Sequence, residues 1–255
     1  MNDTQNSRSV TIPLQKLFPS MVTIFALCLS ITGVRYALVG KFNISAALIV
    51  IAAFMDGVDG RLARLLNSTS EFGAQLDSLA DLVSFGVSPA ITMYLWSLIN
   101  IPYKGVGWTI VLFYITCSAL RLARFNVQLD DGDNEEEAKK ARTFFTGVPM
   151  PSAAGLTILP MIMTFEILPE DIFSEWFIAV YMVFIGFFMV SRIPTFSSKR
   201  ITIKKKNASI LLLLMGMLTA GMVLEPWIVL PLFGIAYFCS IPISIFYYYK
   251  LYRKD

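Results

Sequence analysis

The sequence contains no histidine, only three cysteines, and just 15% charged residues. Without histidine there is no Ser-His-Asp triad, no Cys-His nucleophile and no His-ligated metal. Cys28, Cys117 and Cys239 stand far apart in apolar runs with no CxxC spacing, which argues against a zinc site or dithiol centre. They read as buried apolar thiols. Charged residues make up about 25% of an ordinary soluble domain, so the usual hydrophilic surface is missing. The formal net charge is only +3, and no nucleic-acid partner is expected. The first 18 residues lack the short apolar core of a cleavable signal peptide.

What the chain has instead is apolar length. It is 56% hydrophobic with a mean hydropathy of +0.64. A membrane span needs about 17–25 mostly apolar residues. Eight such stretches are expected, at about 20–39, 43–66, 73–99, 106–127, 149–166, 173–193, 207–224 and 227–249. The expected fold is an all-α polytopic membrane bundle, because the apolar runs are too long for strands and do not alternate. Residues 1–19 read as a cytoplasmic tail whose segment from Thr11 to Phe18 could lie along the membrane surface. Residues 20–250 form one membrane domain, and 251–255 a second short cytoplasmic tail.

Basic residues in short loops set orientation. With the N-terminus in the cytoplasm, only Arg35, Lys41 and Lys104 lie outside, and the other 18 of the 21 Lys and Arg lie inside. Both termini are therefore expected in the cytoplasm, in the cell's inner membrane. The charge run from Asn134 to Lys140 reads as a solvated linker. Lys204, Lys205 and Lys206 read as an orientation signal or an anionic-lipid contact.

One stretch carries chemistry. Asp56, Asp59, Gly60, Ala63 and Arg64 are spaced to share one helical face, and Gly73, Asp77 and Asp81 are spaced four apart on another. The polar residues from Asn67 to Glu71 turn the chain between them. Two acidic stripes can then face each other across a helical hairpin. An ionised Asp inside a bilayer costs about 2.5–3.5 kcal/mol on insertion scales. Facing carboxylates also repel unless a cation intervenes. A pair of divalent ions relieves both penalties, and all-oxygen ligands suit Mg²⁺ or Mn²⁺. Such a pair can clamp a phosphoryl or pyrophosphoryl group. Gly57, Gly60, Ala63, Gly73 and Ala74 leave room for close approach.

The spacing D-x2-D-G-x2-A-R-x8-G-x3-D-x3-D, filled without departure from Asp56 to Asp81, resembles the motif of the CDP-alcohol phosphatidyltransferases. Within that family the chain is similar to the membrane-integral phosphatidylserine synthases. That resemblance rests on Leu76–Ala90 (LDSLADLVSFGVSPA), Arg121–Val127 (RLARFNV) and Phe145–Gly155 (FTGVPMPSAAG). It implies transfer of a phosphatidyl group from CDP-diacylglycerol to L-serine, releasing CMP, by a homodimer. Asp56, Asp59, Asp77 and Asp81 would hold two Mg²⁺ or Mn²⁺ ions, and Asp81 would act as general base. Gly60, Arg64 and Ser70, with Ser20 and Thr23 at the start of the first span, would contact CDP-diacylglycerol. Arg121 and Arg124 are candidates for the serine carboxylate or a phosphate, although positive-inside anchoring explains them equally well. The same family with another acceptor, such as glycerol 3-phosphate or inositol phosphate, remains open. A cation transporter fits less well, because transport sites sit near the midplane of repeats and no inverted repeat is visible. A structural scaffold leaves the acidic cost uncompensated.

Overall fold

The computed structural model describes residues 14–65, 70–103, 105–130, 144–191, 194–196 and 208–252. Helices α1 (Leu14–Leu38) and α2 (Phe42–Leu65) form a hairpin. The turn between them needs Gly40 at φ +74°, and the amides of Val39, Gly40 and Lys41 return to the carbonyls of Tyr36 and Ala37. The two helices touch closely at Gly33, where an added Cβ would stand 3.2 Å from the carbonyl oxygen of Ser45.

The expected third span is a continuous rod with an irregular middle. Helix α3 (Glu71–Asp81) runs into a π-helical turn (Leu82–Val87) and then α4 (Ser88–Trp96). Pro89 supplies the physical reason. It has no amide hydrogen, so the carbonyl of Phe85 loses its regular helical donor. The Tyr114 hydroxyl donates to that carbonyl at 3.5 Å, and the Ser30 hydroxyl donates to the neighbouring Ser84 carbonyl at 3.1 Å.

Helix α5 (Val106–Asp130) packs against this π turn and against α7 (Glu175–Val190). Between them in sequence, α6 (Met150–Glu166) has eleven of its 17 residues buried, which makes it the centre of the bundle. Its internal Pro160 repeats the logic of Pro89: the carbonyl it leaves free, that of Leu156, accepts the Tyr181 hydroxyl at 2.7 Å. Helix α9 (Pro226–Tyr252) lies against α6, and α8 (Ala208–Leu224) packs on α9.

These eight rods coincide with the eight expected stretches. Five helical stretches, Phe18–Leu38, Phe42–Leu62, Glu71–Trp96, Val106–Val127 and Pro226–Ser244, are long and apolar enough to cross a membrane. Glu175–Val190 and Leu212–Leu224 are shorter apolar helices. Large apolar side chains such as Phe54, Leu79, Phe187 and Leu212 project outward, as lipid permits and water does not. The protein is a multi-pass all-α membrane protein.

Two expectations need correction, and one feature is added. A short antiparallel ladder, Phe144–Thr146 with Pro194–Phe196, lies outside the expected apolar stretches. It is followed by Gly147 at φ +80°, where a Cβ would meet the carbonyls of Met189 and Ser191 at 3.0 Å. Of the three thiols only Cys117 is buried; Cys28 and Cys239 face outward, where lipid provides the same apolar surroundings. The third span is not one regular helix, because Pro89 breaks its ladder. The runs Asn134–Lys140 and Lys204–Lys206 lie outside the described residues.

Candidate active site

Helices α2 and α3 bring the acidic stripes together. One carboxylate oxygen from each of Asp56, Asp59 and Asp77 falls within 4.8 Å of the others. Asp59 is the most enclosed, only 3% exposed, while Asp56, Asp77 and Asp81 are half-buried. The Asp81 side chain contacts that of Asp56. Four carboxyl groups at this range repel unless protons or cations lie between them. Their oxygen-only character and mutual spacing fit a hard divalent ion. Among the described residues no other group of acidic, histidine or cysteine side chains converges in this way.

Helix α1 completes one wall. The Thr23 hydroxyl donates to Oδ2 of Asp59 at 2.8 Å and also lies 3.2 Å from the Pro19 carbonyl. Ser70 caps α3, its hydroxyl accepting the Gly73 amide at 3.0 Å. An added Cβ at Gly73 would stand 3.0 Å from Ser70 Oγ and 3.6 Å from Ser20 Oγ. Ser20, Ser70 and Gly73 therefore meet at one rim of the site. Gly57 and Gly60 face open space, with nothing within 4 Å of an added Cβ. The backbone of Ala63 and Arg64 continues α2, and their side chains lie outside the described residues.

The α5 arginines differ from each other. Nε of Arg121 is buried without a hydrogen-bond partner among the described residues, and the guanidinium lies within electrostatic reach of Asp81. Arg124 donates from Nη2 to the Val190 carbonyl at 2.7 Å, and so caps the C-terminus of α7. Of these two arginines, Arg121 is the one that keeps an unengaged donor beside the carboxylates. Sequence reasoning missed the link between α3 and α5 next to Asp77: Asn126 Nδ2 donates to Ser78 Oγ at 3.1 Å. It also missed Tyr114, which accepts the Thr157 hydroxyl at 3.0 Å and holds the π turn that follows Asp81. Nothing in the one-dimensional spacing marks either residue, because both act through contacts between distant segments.

The arrangement offers clustered hard-cation ligands, an open glycine face and one cation beside the acids. It can hold a metal-bound diphosphate and accept a proton from a hydroxyl nucleophile.

Comparison with known proteins agrees with this chemistry. Residues 16–236 match the model of the family described as CDP-alcohol phosphatidyltransferase. A CDP-diacylglycerol–serine O-phosphatidyltransferase of Mycobacterium leprae is 34% identical over 242 residues, covering 95% of this chain and 79% of that protein. The protein of the same name from Helicobacter pylori is 32% identical over 190 residues, covering 74% of this chain and 76% of its own length. A further one from Bacillus subtilis is 33% identical over 148 residues, covering 58% of this chain and 76% of its own length.

Proposed function

The chain belongs to the CDP-alcohol phosphatidyltransferase family, and on that footing we propose that it transfers the phosphatidyl group of CDP-diacylglycerol to L-serine, giving phosphatidylserine and CMP. The convergence of Asp56, Asp59 and Asp77 carries this reading, since it is the feature a diphosphate-cleaving centre requires. The activity for which these relatives are named supports serine as the acceptor.

Asp56, Asp59 and Asp77 would hold one divalent ion, Mg²⁺ or Mn²⁺, and Asp56, Asp77 and Asp81 a second. Bound there, the ions would neutralise the diphosphate and the charge developing on CMP. The protein's own groups do the rest. Thr23 orients the Asp59 carboxylate through its hydroxyl. The open face at Gly57 and Gly60 admits the nucleotide, with Ser20 and Ser70 at its rim and Arg64 reaching a phosphate. Asp81 takes the proton of the serine hydroxyl as that oxygen attacks the phosphorus bearing diacylglycerol. The bond from that phosphorus to the bridging oxygen breaks, and CMP leaves with the electron pair. Arg121 meets the serine carboxylate; Arg124 serves structure first, through α7.

The excess of Lys and Arg on one side supports a cytoplasmic site in the inner membrane. The family resemblance supports a homodimer. The reading is tested with purified protein, CDP-diacylglycerol and labelled serine. Label should enter a lipid-soluble product with stoichiometric CMP, and chelation of divalent ions should stop both. Absence of labelled lipid under metal-replete conditions would contradict it.

A further inference from the structure

At the end of the bundle away from the aspartates lies a second cavity, of about 930 Å³, formed where the α1–α2 turn meets the ends of α4, α6 and α9 and the turn before α7. Asn43 lines it, and Asn43 and Asp56 sit on the same helix about 20 Å apart at the α-helical rise of about 1.5 Å per residue. It is therefore separate from the metal-binding end.

Its lining is polar and one-signed. Glu166, Asp171 and Glu175 line it, and no lysine or arginine does. None of the three has an ion-pair partner among the described residues. Glu175 has a local explanation, since it sits in the first turn of α7, where the helix dipole favours an acid. Glu166 has the opposite placement. It is the exposed last residue of α6, where the same dipole disfavours negative charge.

Ser97 supplies an independent pointer. It is only 7% exposed, it lines the cavity, and its hydroxyl has no hydrogen-bond partner among the described residues. The Ser97 oxygen opens into the cavity and is free to engage a ligand donor there. The remaining walls are aromatic. Trp96 and Trp227 line the cavity, and Phe165 packs edge-to-face on Trp227 with centroids 5.0 Å apart. Aromatic faces beside carboxylates suit an organic cation. A bare metal ion suits the cavity less, because its carboxylates do not converge as those of Asp56, Asp59 and Asp77 do. Tryptophan also marks the headgroup level of a membrane. Exposed Lys41 stands in the chain between the lining residues Gly40 and Phe42.

We propose that this cavity binds an organic ammonium group, that of an aminophospholipid headgroup in the leaflet opposite the aspartates. The ammonium sits among Glu166, Asp171 and the Ser97 hydroxyl, against the tryptophans. The inference is independent of which alcohol the aspartate centre uses.

The test uses full-length protein, delipidated in detergent and titrated with dioleoylphosphatidylethanolamine or dioleoylphosphatidylglycerol, with bound lipid counted by native mass spectrometry. Wild type should retain the ethanolamine lipid at least threefold over the glycerol lipid. Glu166→Gln with Asp171→Asn should abolish that preference and leave retention of the glycerol lipid unchanged. Glu166→Gln alone, which relieves the unfavourable helix-end charge, should lower the preference without loss of thermal stability. Free ethanolamine competing the lipid off wild type places recognition in the ammonium. Failure to compete, with the charge dependence intact, places it in the whole headgroup; both support the proposal. An equal preference in wild type and the double variant overturns it, as does no preference in either. Displacement of the lipid by Ca²⁺ but not by any amine also overturns it.

Discussion

The Thr23 hydroxyl donates to Oδ2 of Asp59 at 2.8 Å, tying α1 to the most enclosed carboxylate of the acidic cluster. A hydrogen bond to a charged group contributes about 1.5–3 kcal/mol. Thr23→Val keeps the shape and removes the donor. The Mg²⁺ or Mn²⁺ concentration giving half-maximal CMP release should rise about tenfold or more. Thr23→Ser should restore it, since only the hydroxyl matters. An unchanged metal requirement in Thr23→Val would show that α1 does not orient Asp59.

Asp81 has a role separable from folding. Asp81→Asn keeps the size and its place beside Asp56 but cannot accept the serine proton. General-base loss costs about 10²–10⁴-fold in rate. CMP release should fall by at least 10²-fold, with the thermal midpoint of the purified protein unchanged or raised. By calorimetry Asp56→Asn, which would remove a ligand of both ions, should weaken both metal-binding events, whereas Asp81→Asn should weaken the second alone and leave the first intact.

Two glycines should respond in opposite ways. At Gly107 a Cβ would lie 2.5 Å from the Leu98 carbonyl oxygen, and backbone cannot yield cheaply. Gly107→Ala should lose about 1–3 kcal/mol of stability with little change in the KM of the protein that still folds. At Gly60 an added Cβ meets nothing within 4 Å. Gly60→Ala should fold normally and raise the KM for CDP-diacylglycerol several-fold, because the methyl group enters the space the nucleotide needs. Thermal unfolding and initial rates on the same preparations check both.

Tyr114 and Tyr181 serve carbonyls that prolines leave free, those of Phe85 and Leu156. Each Tyr→Phe change should cost about 1 kcal/mol in stability. Only Tyr114→Phe should also lower kcat, because the π turn it holds follows Asp81 directly. Equal kcat in the two variants would separate the π turn from catalysis.

Length and periodicity made much of this legible. Gly40-Lys41, Pro102 and Glu225 are turn chemistry and lie between helices in the structure, while α5 begins at Val106 and α9 at Pro226. The acidic stripes follow from helical spacing alone, which is why Asp56, Asp59 and Asp77 could be expected to meet. The π turn was not legible, because a proline inside an apolar run can kink, break or widen a helix, and tertiary partners decide which. Ser30 and Tyr114 are those partners here, and both come from other helices. The two α5 arginines look alike in sequence. They separate only in space, where Val190 engages Arg124 and leaves Arg121 beside Asp81. The cavity near Ser97 is assembled from helix ends distant in sequence, and no local pattern announces it.

The acidic cluster is proposed to activate a serine hydroxyl against CDP-diacylglycerol. The most direct measurement is CMP release by one purified preparation, with Mg²⁺ or Mn²⁺ and CDP-diacylglycerol fixed, and serine, glycerol 3-phosphate and inositol phosphate offered in parallel. Serine should give turnover at least 10²-fold above either alternative, and Arg121→Ala should raise the KM for serine while leaving that for CDP-diacylglycerol unchanged. Equal or faster turnover with glycerol 3-phosphate, and none with serine, would contradict the account.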